Sequence, residues 1–337
     1  MNNMQKILTV SVAAYNVEAC LAEALDSCMA KDLEGLEAIV VNDGSGDGSL
    51  QIAREYERRH PGLFRVVDKE NGGYGSTINA SLALARGKYF RYLDGDDWFD
   101  KVGLEGLLNR LASTDVDAIY SPVVRVFTET GTEVQEDRFA FLGTEDVVIP
   151  IERLPSEVSP LACSMTYRTD LLREIGFLMS ERLFYSDTEF AVEPLVAAKD
   201  ILITHDALYR YRIGREGQSI SLDGRTRHYP DALRVVRGIL DKMASAWHQH
   251  PTAGATSLLL ETVLSGYTGV LLAKPSKEAK AALVEFDAWL RDYPDFYAAS
   301  AAESGAISLL RKTNFLAYMP LSLRARSKEK KRQSQIR

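Results

Sequence analysis

The chain has 337 residues, 46% of them hydrophobic and 26% charged, with a net charge of −7. This is ordinary globular composition, long enough for one large domain plus a smaller one, and its acidic body is a poor partner for nucleic acid. Cys20, Cys28 and Cys163 form no CxxC pair and no zinc spacing, which leaves structural thiols in a reducing, cytoplasmic compartment as the expectation.

The opening residues carry one lysine and then an apolar run. They read as a first buried strand rather than a signal peptide, because they lead straight into a helix pattern. Strand and helix then alternate. Ile7 to Ala14, Leu36 to Val41, Phe64 to Val67 and Tyr89 to Leu93 are predicted strands. Val17 to Met29, Ser49 to Arg59 and Ser76 to Ala85 are predicted helices between them. Such alternation predicts an α/β fold with a mostly parallel central sheet. Ligands bind such sheets at the carboxyl ends of the strands. Tyr15, Asn16, Asp43, Asn71 and Asp94 to Asp97 all fall at such ends.

Beyond Asp97 the pattern changes. A helix over Val102 to Leu111 precedes β-rich segments between Ile119 and Pro150, and helices follow around Leu171 and over Phe190 to Ala198. Ile201 to Ile203 and Leu208 to Arg212 read as strands, and from about residue 228 the chain reads as helix after helix. The expected organisation is a catalytic domain over 1–221, a helical region over 222–321 and a basic, disordered tail over 322–337. Ser257 to Ala273 comes nearest to a membrane span, but it is short and holds Glu261 and two glycines, so a buried helix is expected. The tail carries seven basic residues against Glu329, a local charge of +6 that leaves −13 on the rest. A solvated end is the plain reading. Peripheral attachment to an anionic membrane, at about 1 kcal/mol per basic residue near the lipid, is the alternative.

Five segments carry candidate chemistry. Asp94, Asp96 and Asp97 place three carboxylates in one tetrad at a strand end. A divalent cation bearing the phosphates of a nucleotide diphosphate would offset their repulsion, and an acidic helix-initiating turn is the other reading. The glycines Gly44, Gly46 and Gly48 follow a strand without the G-x-G-x-x-G register, so a dinucleotide site fails there. Asp43 in the same turn can accept from an imide N–H such as uracil N3, or merely help form an Asx turn and helix cap. Gly72, Gly73 and Gly75 precede a helix whose first amides can meet an anion, or form a plain capped loop. Asp187 precedes a helix and can act as general base or as a dipole partner. Arg210, Arg212 and Arg215 form a basic, aromatic-rich segment suited to diphosphate oxygens, or a charged surface loop. His248 and His250 point to different faces of a helix and do not suggest a metal site.

Taken in order, LTVSVAAYN, IVVNDGSGDGS, NGGYGSTINASLALARGKYFRYLDGDDWFD, FYSDTEF and YRYRIGREGQSIS resemble an inverting glycosyltransferase of family 2, of the bacterial surface polysaccharide type. The resemblance covers roughly residues 5 to 221 and implies the GT-A fold, with a UDP-sugar donor and a saccharide or lipid-linked acceptor. It implies Mn²⁺ or Mg²⁺ as cofactor, with Asp96 as the metal ligand. Ala13 and Tyr15 would lie by the uracil and Asp43 would read its N3. Asn71 and Gly72 would contact the donor, and Asp94 would sit near the ribose. Arg212, Arg215 and Ser219 would clamp the diphosphate, and Asp187 would be the catalytic base. Three positions depart from the pattern: Ala13 stands where proline is usual, Ile78 precedes Asn79 in place of arginine, and Ser186 replaces the glutamate before the base. The loop after the first strand lacks the glycine and basic residue that a nucleotidyltransferase needs, and Ser186 leaves a non-catalytic sugar-nucleotide binder as the alternative. Location at the inner face of the plasma membrane and homodimerisation through the helical region are further expectations.

Overall fold

Parallel strands covered on both faces must bury each face as apolar or hydrogen-bonded side chains, and the first strand does both. In β1 (Leu8–Ala14), Leu8, Val10 and Val12 enter the main apolar core, while Thr9 and Ser11 face the opposite side and are fully buried too. The computed structural model describes residues 6–29, 35–155, 159–214, 221–249 and 251–336. β1, β2 (Leu36–Asp43), β3 (Phe64–Lys69) and β4 (Tyr89–Asp94) run parallel in the order β3-β2-β1-β4. Helices α1 (Leu21–Ser27), α2 (Ser49–Arg59) and α3 (Tyr74–Leu84) connect them.

The small polar face of β1 allows α3 to lie close. Ser81 Oγ on α3 donates to Ser11 Oγ at 2.5 Å. Glu37, buried in β2, accepts from Thr9 Oγ1 at 2.6 Å and from Arg86 N at 2.6 Å. This ties the α3–β4 connection to the sheet with every partner satisfied, as a buried carboxylate requires.

Beyond β4 the chain forms β5 (Trp98–Phe99), α4 (Lys101–Ser113), β6 (Ala118–Tyr120), β7 (Val123–Phe127), β8 (Thr132–Glu136), β9 (Val147–Pro150) and β10 (Met165–Arg168). Then come α5 (Thr169–Glu174), α6 (Asp187–Ala197), β11 (Asp200–Ile203) and β12 (Tyr209–Ile213). The large sheet continues from β4 as β10-β6-β11-β9, with β10 antiparallel to both neighbours. It is therefore parallel in its first half and mixed in its second. A second sheet has the order β5-β12-β7-β8. The reversal at β10 matters for the site. With Tyr167 opposite Phe90, the start of β10 and the turn Ala162–Ser164 lie toward the carboxyl end of β4.

The chain divides into two compact units, Met1–Ile213 and Gly214–Arg337. The second contains α7 (Leu222–Gln249), α8 (Ala253–Leu272), α9 (Lys277–Trp289), α10 (Pro294–Glu303), α11 (Gly305–Lys312) and α12 (Tyr318–Ile336). Among the described residues α8 alone is long and apolar enough to cross a membrane, yet more than half of its apolar window is buried inside the protein. Arg311 fastens α11 to α9 and α8, donating to Asp287 Oδ1 at 2.6 Å and to the Tyr267 hydroxyl at 2.9 Å. The expected disordered tail is corrected here: residues 322–336 continue α12, and Ser322 is wholly buried.

A Cβ added at Gly87 would lie 2.4 Å from the backbone nitrogen of Thr9. Backbone of a central strand cannot yield as a side chain does. Gly87→Ala is expected to destabilise the first unit by on the order of 2 kcal/mol through overpacking, read as a fall in its thermal unfolding midpoint.

Candidate active site

Parallel strands in register end together. Ala13 pairs with Val41 on one side and Asp94 on the other, and Ala14 pairs with Asn42. Ala13, Tyr15, Asp43 and Asp94 are thereby gathered at one edge of the sheet. Tyr15 is 53% exposed and presents its ring there. The next residue, Asn16, has a left-handed φ of 51°, a conformation asparagine tolerates better than most residues. Its Oδ1 accepts from Gly46 N at 2.8 Å and its amide donates to Ser45 Oγ at 3.1 Å. Glu18 Oε2 accepts from Gly48 N at 2.6 Å, and Asp47 Oδ2 accepts from Glu18 N at 3.1 Å. The amides of Gly46 and Gly48 are thus spent on the neighbouring loop. They make no phosphate cradle, which agrees with the failed dinucleotide register.

The same economy governs Asp43, which is only 2% exposed. Its Oδ1 accepts from Lys69 Nζ at 2.6 Å and Gly72 N at 2.9 Å, and its Oδ2 accepts from Gly73 N at 2.9 Å. The anion that these loop amides meet is the protein's own carboxylate. Asn71, exposed, donates from Nδ2 to the Asp43 carbonyl at 3.0 Å, so Asn71 and Gly72 stand beside Asp43. The glycines serve close packing. A Cβ at Gly75 would lie 2.3 Å from Ser180 O, and Gly73 has φ 82° with Arg182 N at 2.8 Å from its ideal Cβ. Asn79 completes the contact: its Oδ1 accepts from Met179 N and its Nδ2 donates to Met179 O, both at 2.9 Å. Asn79 therefore positions the loop that leads to Asp187, whatever residue precedes it.

The acidic turn is held from β12. Asp97 N donates to Asp94 O at 3.0 Å and closes the turn. The buried Asp97 accepts from Arg212 N at 2.8 Å on Oδ1 and from the Tyr209 hydroxyl at 2.7 Å on Oδ2. Tyr209 also lies 3.1 Å from Asp94 Oδ2. One hydroxyl proton cannot satisfy two carboxylates at once. Burial, and next the charge of Asp96, pushes the Asp94 carboxyl up to about 7. Burial, and next the charge of Asp94, raises Asp97 well above the carboxylate range. The pair therefore retains a proton that separate carboxylates would lose. The buried Tyr74 hydroxyl bears on the Asp94 carboxyl from the other side, and neither it nor Asp94 Oδ1 has a further partner. Among the described residues no three His, Cys, Asp or Glu side chains come together as a metal centre.

Arg212 reaches the same turn. Its Nε donates to Asp96 O at 2.7 Å, its NH2 group pairs with Glu23 Oε2 at 2.5 Å, and its guanidinium stacks 4.6 Å over Trp98. Arg210 points elsewhere, to Asp100 at 3.2 Å and Glu133 at 2.8 Å. Arg215 and Ser219 lie outside the described residues.

Asp187 opens α6, where its own amide and that of Thr188 hold its carboxylate. The residue has an open face to solvent, yet packing round the carboxyl raises its pKa. Its charge is felt at Asp94, which places the two in one electrostatic neighbourhood. Glu189 does not replace the missing glutamate at Ser186. It is fully buried and accepts from Ser180 N at 2.5 Å and Ser180 Oγ at 2.6 Å. Two participants were not marked by motif. Tyr209 shows only as an aromatic in an alternating Tyr-Arg-Tyr-Arg run. Cys163, expected to be merely structural, is close enough for the charges of Asp94 and Asp97 to add to burial in raising its thiol pKa.

Because Asp94 titrates near 7 in the fold against an ordinary 3.8, the folded state holds a proton that the unfolded chain has lost between those values. Its contribution to stability falls as pH rises through that window. In chelator, Asp94→Asn should gain on the wild type by up to about 4 kcal/mol from the bottom of the window to the top, measured by urea unfolding at both ends.

Residues 9–176 match the family model for glycosyl transferase family 2. The minor teichoic acid biosynthesis protein GgaB of Bacillus subtilis (strain 168) is 28% identical over 216 residues, covering 63% of this chain and 23% of GgaB. The poly(ribitol-phosphate) beta-N-acetylglucosaminyltransferase TarS of Staphylococcus aureus (strain MW2) is 28% identical over 218 residues, 63% of this chain and 36% of TarS. The match therefore spans less than two thirds of either relative. The crystal structure of S. aureus TarS 1–349 in complex with UDP aligns over 97% of this chain and 92% of that one, with TM-score 0.68 at 21% identity. That likeness is one of fold, and the fold is GT-A-like.

Proposed function

The chain belongs to glycosyl transferase family 2, and from that premise we propose that it moves a sugar from a UDP-sugar to a hydroxyl of a saccharide or lipid-linked acceptor, with inversion, in cell-surface polysaccharide synthesis. The observation that supports this reading is the strand register, which gathers Ala13, Tyr15, Asp43 and Asp94 at one edge of the sheet beside an acidic turn held by Tyr209. The teichoic acid role of GgaB and the poly(ribitol-phosphate) role of TarS support the polymer context.

Each residue then has a task. Tyr15 stacks on the uracil, with the Ala13 strand end beneath it. Asp43 Oδ2 accepts a single amide and keeps a lone pair for an imide N–H. Asn71 and Gly72 border the donor, and Asp94 accepts from a ribose hydroxyl. Asp96, with Asp94 beside it, would hold Mn²⁺ or Mg²⁺, which when bound would supply positive charge against the departing diphosphate. Arg212 turns from Glu23 to the diphosphate oxygens, joined by Arg215 and Ser219. Asp187 accepts the acceptor proton as the new bond forms, and its raised pKa makes it a better base than an exposed aspartate. Attack from the face opposite the diphosphate inverts the anomeric centre in one displacement.

The deciding experiment measures UDP release from a panel of UDP-sugars, with Mn²⁺ and with chelator, alone and with acceptor glycans. Metal-dependent release from one donor is expected, and Asp187→Asn should slow transfer about 100-fold or more with UDP affinity nearly unchanged. Release from no donor under any condition, or a fully active Asp187→Asn, would sink the assignment. Glu23→Gln frees Arg212 of its ion pair and should tighten UDP binding severalfold in titration calorimetry. Weaker binding would mean that Glu23 orients Arg212 for the donor rather than withholding it.

A further inference from the structure

The second unit carries a surface that the transfer chemistry leaves unused. α12 is an ordered helix with two unlike faces. One is fastened to its own unit: Tyr318 and Ser322 are buried, Ser322 Oγ donates to Leu271 O at 2.9 Å, and Arg326 donates to Leu272 O at 2.5 Å. The other presents Met319 and Leu323, one turn apart and 49% and 56% exposed, and Leu316 is 78% exposed where the chain enters the helix. Arg324, Lys328, Lys330 and Lys331 follow, all exposed. At 100° per residue, Lys330 falls in line with Met319 and Leu323, while Arg324, Lys328 and Lys331 project together from the adjoining polar face.

A single exposed leucine needs no explanation. Three large apolar side chains in the segment 316–323, beside an exposed cationic face, are a different matter. A second copy of this face would bring one stretch of charge +6 against another. An anionic bilayer satisfies both halves at once, because the acyl boundary takes the apolar edge and the headgroups take the cations.

We propose that α12 is an interfacial docking helix that sets Leu316, Met319 and Leu323 into an anionic membrane surface while its lysines and arginines engage the headgroups. The inference does not depend on the transfer reaction. It differs from attachment by a charged tail in one measurable respect: salt screens the cations but leaves the apolar contribution in place.

The test is sedimentation of the full chain with vesicles of equimolar phosphatidylglycerol and phosphatidylcholine, against phosphatidylcholine alone, at low and high salt. The wild type should bind the mixed vesicles far more strongly than the neutral ones and keep part of that binding at high salt. Lys328→Gln with Lys330→Gln and Lys331→Gln should weaken binding about 100-fold. Leu316→Ser with Met319→Ser and Leu323→Ser should abolish the salt-resistant part, with circular dichroism unchanged. Should that triple variant unfold, Leu316→Ser alone, outside the helix, must still reduce the salt-resistant part. The proposal is overturned if the wild type ignores the mixed vesicles or if the apolar substitutions leave binding intact. It is equally overturned if the wild type dimerises with concentration and the same substitutions dissolve the dimer, which would assign the face to a second copy.

Discussion

The hydroxyl of Tyr209, set between Asp94 and Asp97, is the contact on which the rest of the active-site edge depends. Three carboxylates in one turn repel one another, and a turn at a strand end has little else to hold it. β12 supplies the hold by delivering Tyr209 and the amide of Arg212 to the same turn. The second sheet thus exists, in functional terms, to keep an unfavourable charge arrangement in place. Strain of this kind belongs where a ligand relieves it.

Elsewhere the edge is built by internal substitution. Asp43 fills the anion site that the Gly72 and Gly73 amides form, and Asn16 and Glu18 fill those of Gly46 and Gly48. A loop whose donors are already satisfied is rigid before any ligand arrives, which lowers the ordering cost of binding. The glycine-rich segment is accordingly a packing device. It lets the loop around Ser180 approach α3, and Asn79 then fixes that loop through two bonds to Met179. The chain from α3 to Asp187 is one mechanical path, so Asp187 is aimed by residues that never touch it.

The helical unit follows different rules. Its long apolar helix α8 reads like a membrane segment by composition and behaves as a core element, because Arg311, Asp287 and Tyr267 join it to α9 and α11 through a satisfied buried network. Its most cationic stretch reads as a solvated tail and forms a helix, because Tyr318 and Ser322 are buried inside the unit and Ser322 donates to Leu271 O there. For α8 the buried helix expected from its shortness, Glu261 and two glycines is what the structure contains.

Local chemistry that repeats along the chain was legible directly. The alternation of strands and helices up to Asp94, the strand ends that carry Tyr15, Asp43 and the acidic tetrad, and the helix opened by Asp187 all follow from hydrophobic period and turn residues. The order of the motifs was enough to suggest the family. What lay beyond reach were the partners that meet only after folding: Tyr209 with the acidic turn, Glu23 with Arg212, Asn79 with Met179, and the antiparallel entry of β10 that brings Cys163 to the site. These pairs are separated by up to 189 residues. No periodicity extends over such distances, so only the tertiary structure decides which donor meets which acceptor.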